Sequence, residues 1–509
     1  MADFIWRKRA ASLCVLLSGV AVPIGESRAA VTISSKPTQN VSCSSGVCTP
    51  TAKKAVLNVN DLTNMLAAGN VQVNTGSGSL AKKVKDIIVS KGFSWASGNS
   101  LTLDAWRSVL VNEPIAVNGA GGVALSTDDG GTNGFLLFGS KASLSFPDTS
   151  NGLAINGTAF TLENSIASLA TAIAANPSGT YALANSYDAS QDGTYSSTPI
   201  PTTVTGTVEG LGNTISNLSL VPSMKEGLAD GLFDTVGTTG KIEGMKLSGL
   251  SIRDSRGRHG GGGGLAAYNV GVLSDDHVAG VITAARTLAG GLVGGNGGTI
   301  IHSSANVRVK GVTAGGLVAG SGGTGSSISL SHANGDVQGS QEAGGLVGGI
   351  DESLVSQSYA TGVVTGGDGS YVGGLVGFSQ ESSDINNSYA TGTVTGGANA
   401  FVGGLVGEFF NDATSESSYS TGAVTGGAGS LVGGFAGDAG GTFANCYWDT
   451  TTSGTDDGVD GTNVEGVTGL TTQQLQSGLP AGFDPTVWAE KSNINGGLPY
   501  LINIPPVKK

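Results

Sequence analysis

The chain is poor in charge, in aromatic side chains and in cysteine. Charged residues make up 12% of its 509 residues and aromatic ones 6%. So little charge, beside 39% hydrophobic residues, excludes a solvated disordered chain. Its 25 Lys and Arg against 38 Asp and Glu leave a net charge of −13. That excludes a nucleic-acid binder, because neutralising phosphates needs a basic surface. The clearest basic cluster is Arg253, Arg256, Arg258 and His259, and it reads as a solvated turn. Of four cysteines, Cys14 lies in the N-terminal apolar segment. Cys43 and Cys48 are spaced for a local disulfide, which leaves Cys446 unpaired. Nothing near the pair supplies the further ligands of a zinc site.

Long apolar runs are scarce too. Residues 1–29 read as a secretory signal: Arg7, Lys8 and Arg9, then apolar Ala10 to Val22, then small residues before Ala30. No second run of about 20 apolar residues follows, so the mature chain is expected to be exported without a transmembrane segment.

What the chain has is glycine, 86 residues of it, and a repeat. GGLVG at 290–294 recurs as GGLVA at 315–319, as GGLVG at 344–348, 373–377 and 403–407, and as GGFAG at 433–437. The steps are 25, 29, 29, 30 and 30 residues, and a weaker copy, GGLAA, begins at Gly263. A second feature follows each copy: Ser303-Ser-Ala-Asn, Ser331-His-Ala-Asn, Ser358-Tyr-Ala-Thr, Ser388-Tyr-Ala-Thr, Ser418-Tyr-Ser-Thr and Cys446-Tyr-Trp-Asp. Such a period signals a repeat architecture in which each unit packs on its neighbours. The expectation is an all-β chain built as a right-handed parallel β-helix, with a short helical cap and one inserted helix. Blades of a β-propeller run longer, at about 40 residues. The corner glycines are expected to need positive φ.

Along the chain, 30–55 reads as an extended leader and 56–160 as irregular β-helix rungs. In the latter Asn60 caps a helix ending at Gly69, which lies over the first rung. Residues 161–200 read as a loop-and-helix excursion with Ile166, Leu169 and Ile173 on one face. The regular array spans 201–450, and 451–509 reads as a closing segment.

The repeats resemble the GLUG motif of large bacterial exoproteins of the filamentous haemagglutinin type. The ending CYWDTTTSG (446–454) with GLTTQQLQSGLPAGFDPTVW (469–488) resembles the tail of such proteins. GTYALANSYDAS (179–190), GTVEGLGNTISNLSL (206–220) and DIIVSKGFSWASGNSLTLDAW (86–106) are similar to other parts of them. The resemblance implies a secreted or surface-displayed, adhesive β-helix. The chain departs from the pattern in lacking an NPNG signature in its N-terminal region. GLUG repeats also occur in IgA-cleaving metalloproteases, whose HExxH none of His259, His277, His302 and His332 carries.

The repeat alignment disarms several tempting side chains. His332 falls where Tyr359, Tyr389, Tyr419 and Tyr447 fall, so it reads as one step of an aromatic ladder. Cys446 falls on the serine position. Asp275-Asp276-His277 is the best cluster for acid–base or metal chemistry, yet neighbours on a strand point to opposite faces. Asp351-Glu352 and Asp384 read as loop acids. Asp456, Asp457 and Asp460 resemble part of a calcium loop whose closing position is Val467. No catalytic, cofactor or metal residue is therefore assigned. The expected function is multivalent, adhesin-like binding of a glycan, matrix or cell-surface protein partner through the repeat faces. The alternatives are a carbohydrate-active β-helix enzyme, either lyase or glycosidase, and a purely structural surface or biofilm component.

Overall fold

Alternating Val, Leu and Ile put one side chain in two toward an interior, and stacking the resulting coils buries them. The computed structural model describes residues 29–76, 83–131, 134–222, 230–254, 261–284, 286–462 and 464–506. In it the chain forms a β-solenoid of about 14 turns, with three α-helices among the described residues. The signal-like residues 1–28 lie outside the described residues, as do Arg256, Arg258 and His259. Two apolar cores divide the stack, one built mainly from residues 31–155 and one from 166–459.

The first solenoid begins earlier than its Ser/Thr-rich sequence suggests. Ala30–Ser34 is an inner strand, paired in parallel with Lys54–Asn58 on one side and Asp86–Val89 on the other. Val31 and Ile33 are fully buried. The segment 30–55 is therefore the base of the solenoid and not a leader; the alternation Val31, Ile33 outweighs its polar composition. Cys43 and Cys48 are disulfide-bonded across a hairpin of Val41–Ser44 and Val47–Pro50. Helix Val59–Ala68 covers the end of the stack with Val59, Leu62 and Leu66. Its cap is Asn58, whose side chain accepts from the N–H groups of Asn60 and Asp61, so the helix starts before Asn60.

The two solenoids join through a reversal. Leu153–Ile155 pairs antiparallel with Thr158–Glu163, which pairs in parallel with Thr180–Leu183 and onward to Thr207–Glu209. Residues 161–200 are thus not an excursion: their strands continue the sheet with reversed direction. Helix Ile166–Ala175, capped by Ser165, inserts Ile166, Leu169 and Ile173 into the second core.

The Gly-Gly copies stack in register: Gly290 beside Gly315, then Gly344, Gly373, Gly403 and Gly433. None of these glycines has positive φ. Their requirement is close approach. A Cβ on Gly373 would lie 1.9 Å from the Val376 carbonyl oxygen of the same corner. One on Gly374 would lie 2.1 Å from the Gly404 carbonyl oxygen of the next coil. The glycine expectation is corrected accordingly. In the coil around Gly373, Val372, Leu375, Val376, Ile385, Ala390 and Val394 all point inward and are fully buried.

The C-terminal segment does more than close the stack. Val467–Leu470 adds to Cys446–Asp449, and helix Thr472–Leu475 follows. The chain then runs back along the outside of the solenoid, burying Leu475, Phe483, Trp488 and Leu501 against the tyrosines. Among the described residues, no helix is long and apolar enough to cross a membrane, which says nothing of a β-barrel.

Candidate functional site

Where each coil turns before its Ser-Tyr segment, the backbone enters the left-handed region at Asp275, His302, Leu330, Gln357, Asn387, Ser417 and Asn445. The next residue points inward and the one after it outward. The inward column is Asp276, Ser303, Ser331, Ser358, Ser388, Ser418 and Cys446. From Ser303 to Ser418, each hydroxyl accepts the N–H of its counterpart one coil earlier, at 3.1 to 3.3 Å. Asp276 takes a serine's place, its Oδ1 accepting from Met245 N at 2.9 Å. Burial pushes its carboxyl well above the usual range, and Asp275, Glu209 and Glu243 add to the rise. The Cys446 thiol, its Sγ 3.3 Å from the Ser415 carbonyl oxygen, is pushed up to about 11 by burial.

The outward column is Lys246, His277, Ser304, His332, Tyr359, Tyr389, Tyr419 and Tyr447. The rings of His332, Tyr359, Tyr389 and Tyr419 stack at 4.7, 4.9 and 5.1 Å. Tyr447 keeps the register, but its ring packs edge-on against Phe483. The returning C-terminal segment seals this face. The Tyr419 and Tyr447 hydroxyls donate to the carbonyls of Pro499 and Ala481, and Trp488 Nε1 donates to Asn387 Oδ1.

The lower end of the column is left open. There Lys246, His277, Ser304 and His332 form part of one wall of a cleft of about 1810 Å³ between the two solenoids. The opposite wall carries an outward apolar ladder on the first solenoid, Ile88, Leu110 and Leu137, in register. The tip of the C-terminal segment, Asn503 to Pro505, also lines it. At the base the halves are fastened together. Lys246 Nζ donates to the carbonyls of Gly139 and Ala142 at 2.7 and 3.0 Å, and Phe138 N donates to Asp275 Oδ2 at 2.9 Å. Phe135 packs edge-on against His302 at 4.8 Å. Burial lowers the Lys246 ammonium and the His302 imidazole from their ordinary values.

Four residues that line the cleft keep buried side-chain atoms without a partner: His302 Nε2, Ser326 Oγ, Gln357 Oε1, and both amide atoms of Asn503. Each such atom costs about 1–3 kcal/mol when it stays unsatisfied. The charged lining is acidic, with Asp128, Glu243, Asp275, Glu352 and Asp384 against Lys246.

The triplet Asp275-Asp276-His277 is thus divided: Asp276 belongs to the interior, while Asp275 and His277 face the cleft. His277 Nε2 lies 3.4 Å from Asp275 Oδ1, and its Nδ1 lies 2.8 Å from Ser304 Oγ. Glu352 and Asp384, read as loop acids, reach the cleft as well, while Asp351 is not among its lining residues. Asp460 Oδ1 accepts from Val432 N, and the Asp457 carbonyl from Gly434 N, so two of the three calcium-like acids brace the last Gly-Gly corner. Among the described residues, no group of three or more His, Cys, Asp or Glu is placed to hold a metal. Sequence reasoning missed Lys246, Ser304 and Asn503. Ser304 already stands in the first aligned copy, and extending the alignment upstream reaches Lys246; nothing in the sequence places Asn503.

The sequence profile of the GLUG motif matches residues 368–395, the coil that holds Tyr371 to Thr395. The chain carries a GLUG motif. No curated protein matches it. Among solved structures, a candidate immunoglobulin A1 protease from Bacteroides ovatus is similar at 17% identity and a TM-score of 0.36. The match covers 67% of this chain and 91% of that one, and at that score it carries no argument about function.

Proposed function

We propose that this protein is a secreted or surface-displayed, adhesin-like β-solenoid that binds a glycan or matrix polymer. The observation that carries the reading is the cleft: an apolar ladder faces a polar wall, with buried amide and imidazole atoms lacking partners. A sugar chain has the matching chemistry, with C–H faces for Ile88, Leu110 and Leu137 and hydroxyls for the opposite wall. The acidic lining favours a neutral polymer over a polyanion, by Coulomb repulsion. A second mode is supported by the repeat faces. Thr365, Thr395 and Thr425 stack in register on the outside of the GLUG coils, so identical weak contacts recur along one rod.

The test is size-exclusion chromatography of the full chain with neutral and anionic polysaccharides. Co-elution with an unshortened neutral polymer is the expected result. If no polymer co-elutes, the reading is wrong. Thr365→Ala, Thr395→Ala and Thr425→Ala, singly and combined, separate the two modes, because none of the three lines the cleft: a graded loss marks the repeat faces, and retention marks the cleft.

A further inference from the structure

In the open part of the outward column, Ser304 stands between two histidines on adjacent coils, His277 before it and His332 after it. Stacked coils place equivalent residues about 4.8 Å apart. Ser304 Oγ is 2.8 Å from His277 Nδ1, and the other ring nitrogen of His277 faces Asp275 Oδ1 at 3.4 Å. Asp275 is itself held, because its second oxygen accepts from Phe138 N. With a proton on Nε2 directed at Asp275, the His277 Nδ1 lone pair points to the serine hydroxyl. This is the arrangement of nucleophile, base and orienting carboxylate that acyl transfer needs, with the two imidazole nitrogens exchanged relative to the usual triad. All three residues line the cleft, and Leu110 and Leu137 line it opposite them.

We propose that Ser304, His277 and Asp275 form a hydrolytic site for carboxylic esters whose acyl group rests on the apolar ladder of the first solenoid. The Ser304 hydroxyl oxygen bonds to the acyl carbon as its proton passes to His277 Nδ1. The carbon–oxygen bond to the alcohol then breaks, and the alcohol leaves with the proton from His277. Water adds to the acyl-serine, gives its proton to His277, and the acid departs as Ser304 takes the proton back. The sum is ester plus water to acid plus alcohol, and nothing else is consumed. On the next coil His332 lies parallel to Tyr359, so it turns its ring face toward Ser304's coil, and burial, which lowers its imidazole to about 4, keeps that neighbour uncharged. Ser304 and His277 are the catalytic residues, and Asp275 is a positioning residue.

The test uses the full chain. It is incubated with a fluorophosphonate probe and with p-nitrophenyl acetate, butyrate and octanoate, beside the variants Ser304→Ala, His277→Gln and Asp275→Asn. The expected result is a probe adduct mapped to Ser304 and ester turnover that falls at least about 100-fold in Ser304→Ala and His277→Gln. Asp275→Asn keeps an acceptor for Phe138 N and tolerates the left-handed backbone. It should lower kcat about tenfold or more with KM little changed, and shift the pH–rate profile, which a purely structural role would not do. Circular dichroism melts confirm that the variants fold. A probe adduct at another residue, turnover unchanged in Ser304→Ala, or no turnover above buffer overturns the proposal. None of these outcomes bears on polymer binding, which is read separately by co-elution.

Discussion

The two solenoids reach one fold by different means. In the first, successive coils differ in length: the step from Leu101 to Val123 is 22 residues and the step from Val123 to Leu153 is 30. Its core is filled by unlike residues, such as Trp95, Phe146, Leu103 and Ile33. In the second, each GLUG coil places glycine on glycine, valine on valine and serine on serine. The first tolerates irregularity because inward side chains of several sizes can fill a shared interior. The second cannot, because its coils meet without room for a side chain at the same Gly-Gly corner in every turn, whereas in the first such contacts, as at Gly119 and Gly134, fall at unlike places. Repetition in the sequence therefore marks backbone contact, and it is not a condition for forming a solenoid.

The largest effect should come from breaking that contact. Gly374→Ala places a Cβ 2.1 Å from the Gly404 carbonyl oxygen and 2.9 Å from the Ala390 Cβ, and both are held by the core. A loss on the order of 3–5 kcal/mol is expected in urea unfolding, with protection lost in neighbouring coils by hydrogen exchange. Gly320→Ala, where nothing lies within 4 Å and φ is not positive, should stay within about 1 kcal/mol of the parent. So should Gly152→Ala in the first solenoid, which is equally free. Equal losses at Gly374 and Gly320 would show that helix-like or chain-entropy effects, and not coil contact, set the glycine pattern.

A second contrast concerns what lies on the outside. The first solenoid turns Ile88, Leu110 and Leu137 toward the cleft, whereas the second covers its tyrosine column with its own C-terminal segment. Trp488 anchors that cover: it is 1% exposed, packs against Tyr389, Tyr419 and Phe483, and donates to Asn387. Trp488→Ala should cost about 3–5 kcal/mol of local stability. The readout is limited proteolysis: cleavage within 476–506 should quicken while the coils of both solenoids stay protected. If the coils also open, the segment is part of the global fold and not a separate cover.

These contrasts also explain what the sequence disclosed. Register, ladder and solenoid were legible because the Gly-Gly and Ser-Tyr copies fix which residues stack, and Ala30–Ser34 was missed because its strand is not a copy of anything. The site is another matter. His277 and Asp275 were visible as chemistry-bearing types, but their common face depends on the left-handed turn at Asp275. Ser304 stood in the Ser303-Ser-Ala-Asn copy without a role assigned to it, since its approach to His277 belongs to the neighbouring coil. The apolar wall of Ile88, Leu110 and Leu137 lies far earlier in the chain, in the first solenoid, and only the strand reversal after Ile155 brings the two together. Asn503 arrives through the fold-back of the C-terminal segment, which no local pattern encodes.

The smallest expected effect lies at the end of the tyrosine column, where the regular array meets the cleft. His332 is the one stacked ring of that column that can charge, and burial lowers its imidazole to about 4, against about 6.5 in an unfolded chain. The folded state therefore favours the neutral ring. Its contribution is complete above about pH 6.5 and is lost as pH falls from there toward 4, because the unfolded chain takes up the proton first. His332→Tyr continues the tyrosine stack and removes that proton. The parent should lose about 1–3 kcal/mol more than the variant between pH 7 and pH 4, with the two nearly parallel above pH 7. Paired urea titrations at pH 4, 5.5, 7 and 8 measure the difference. A gap that stays constant across this range would mean that His332 is solvated in the folded protein, and that the cleft, rather than the stack, sets its environment.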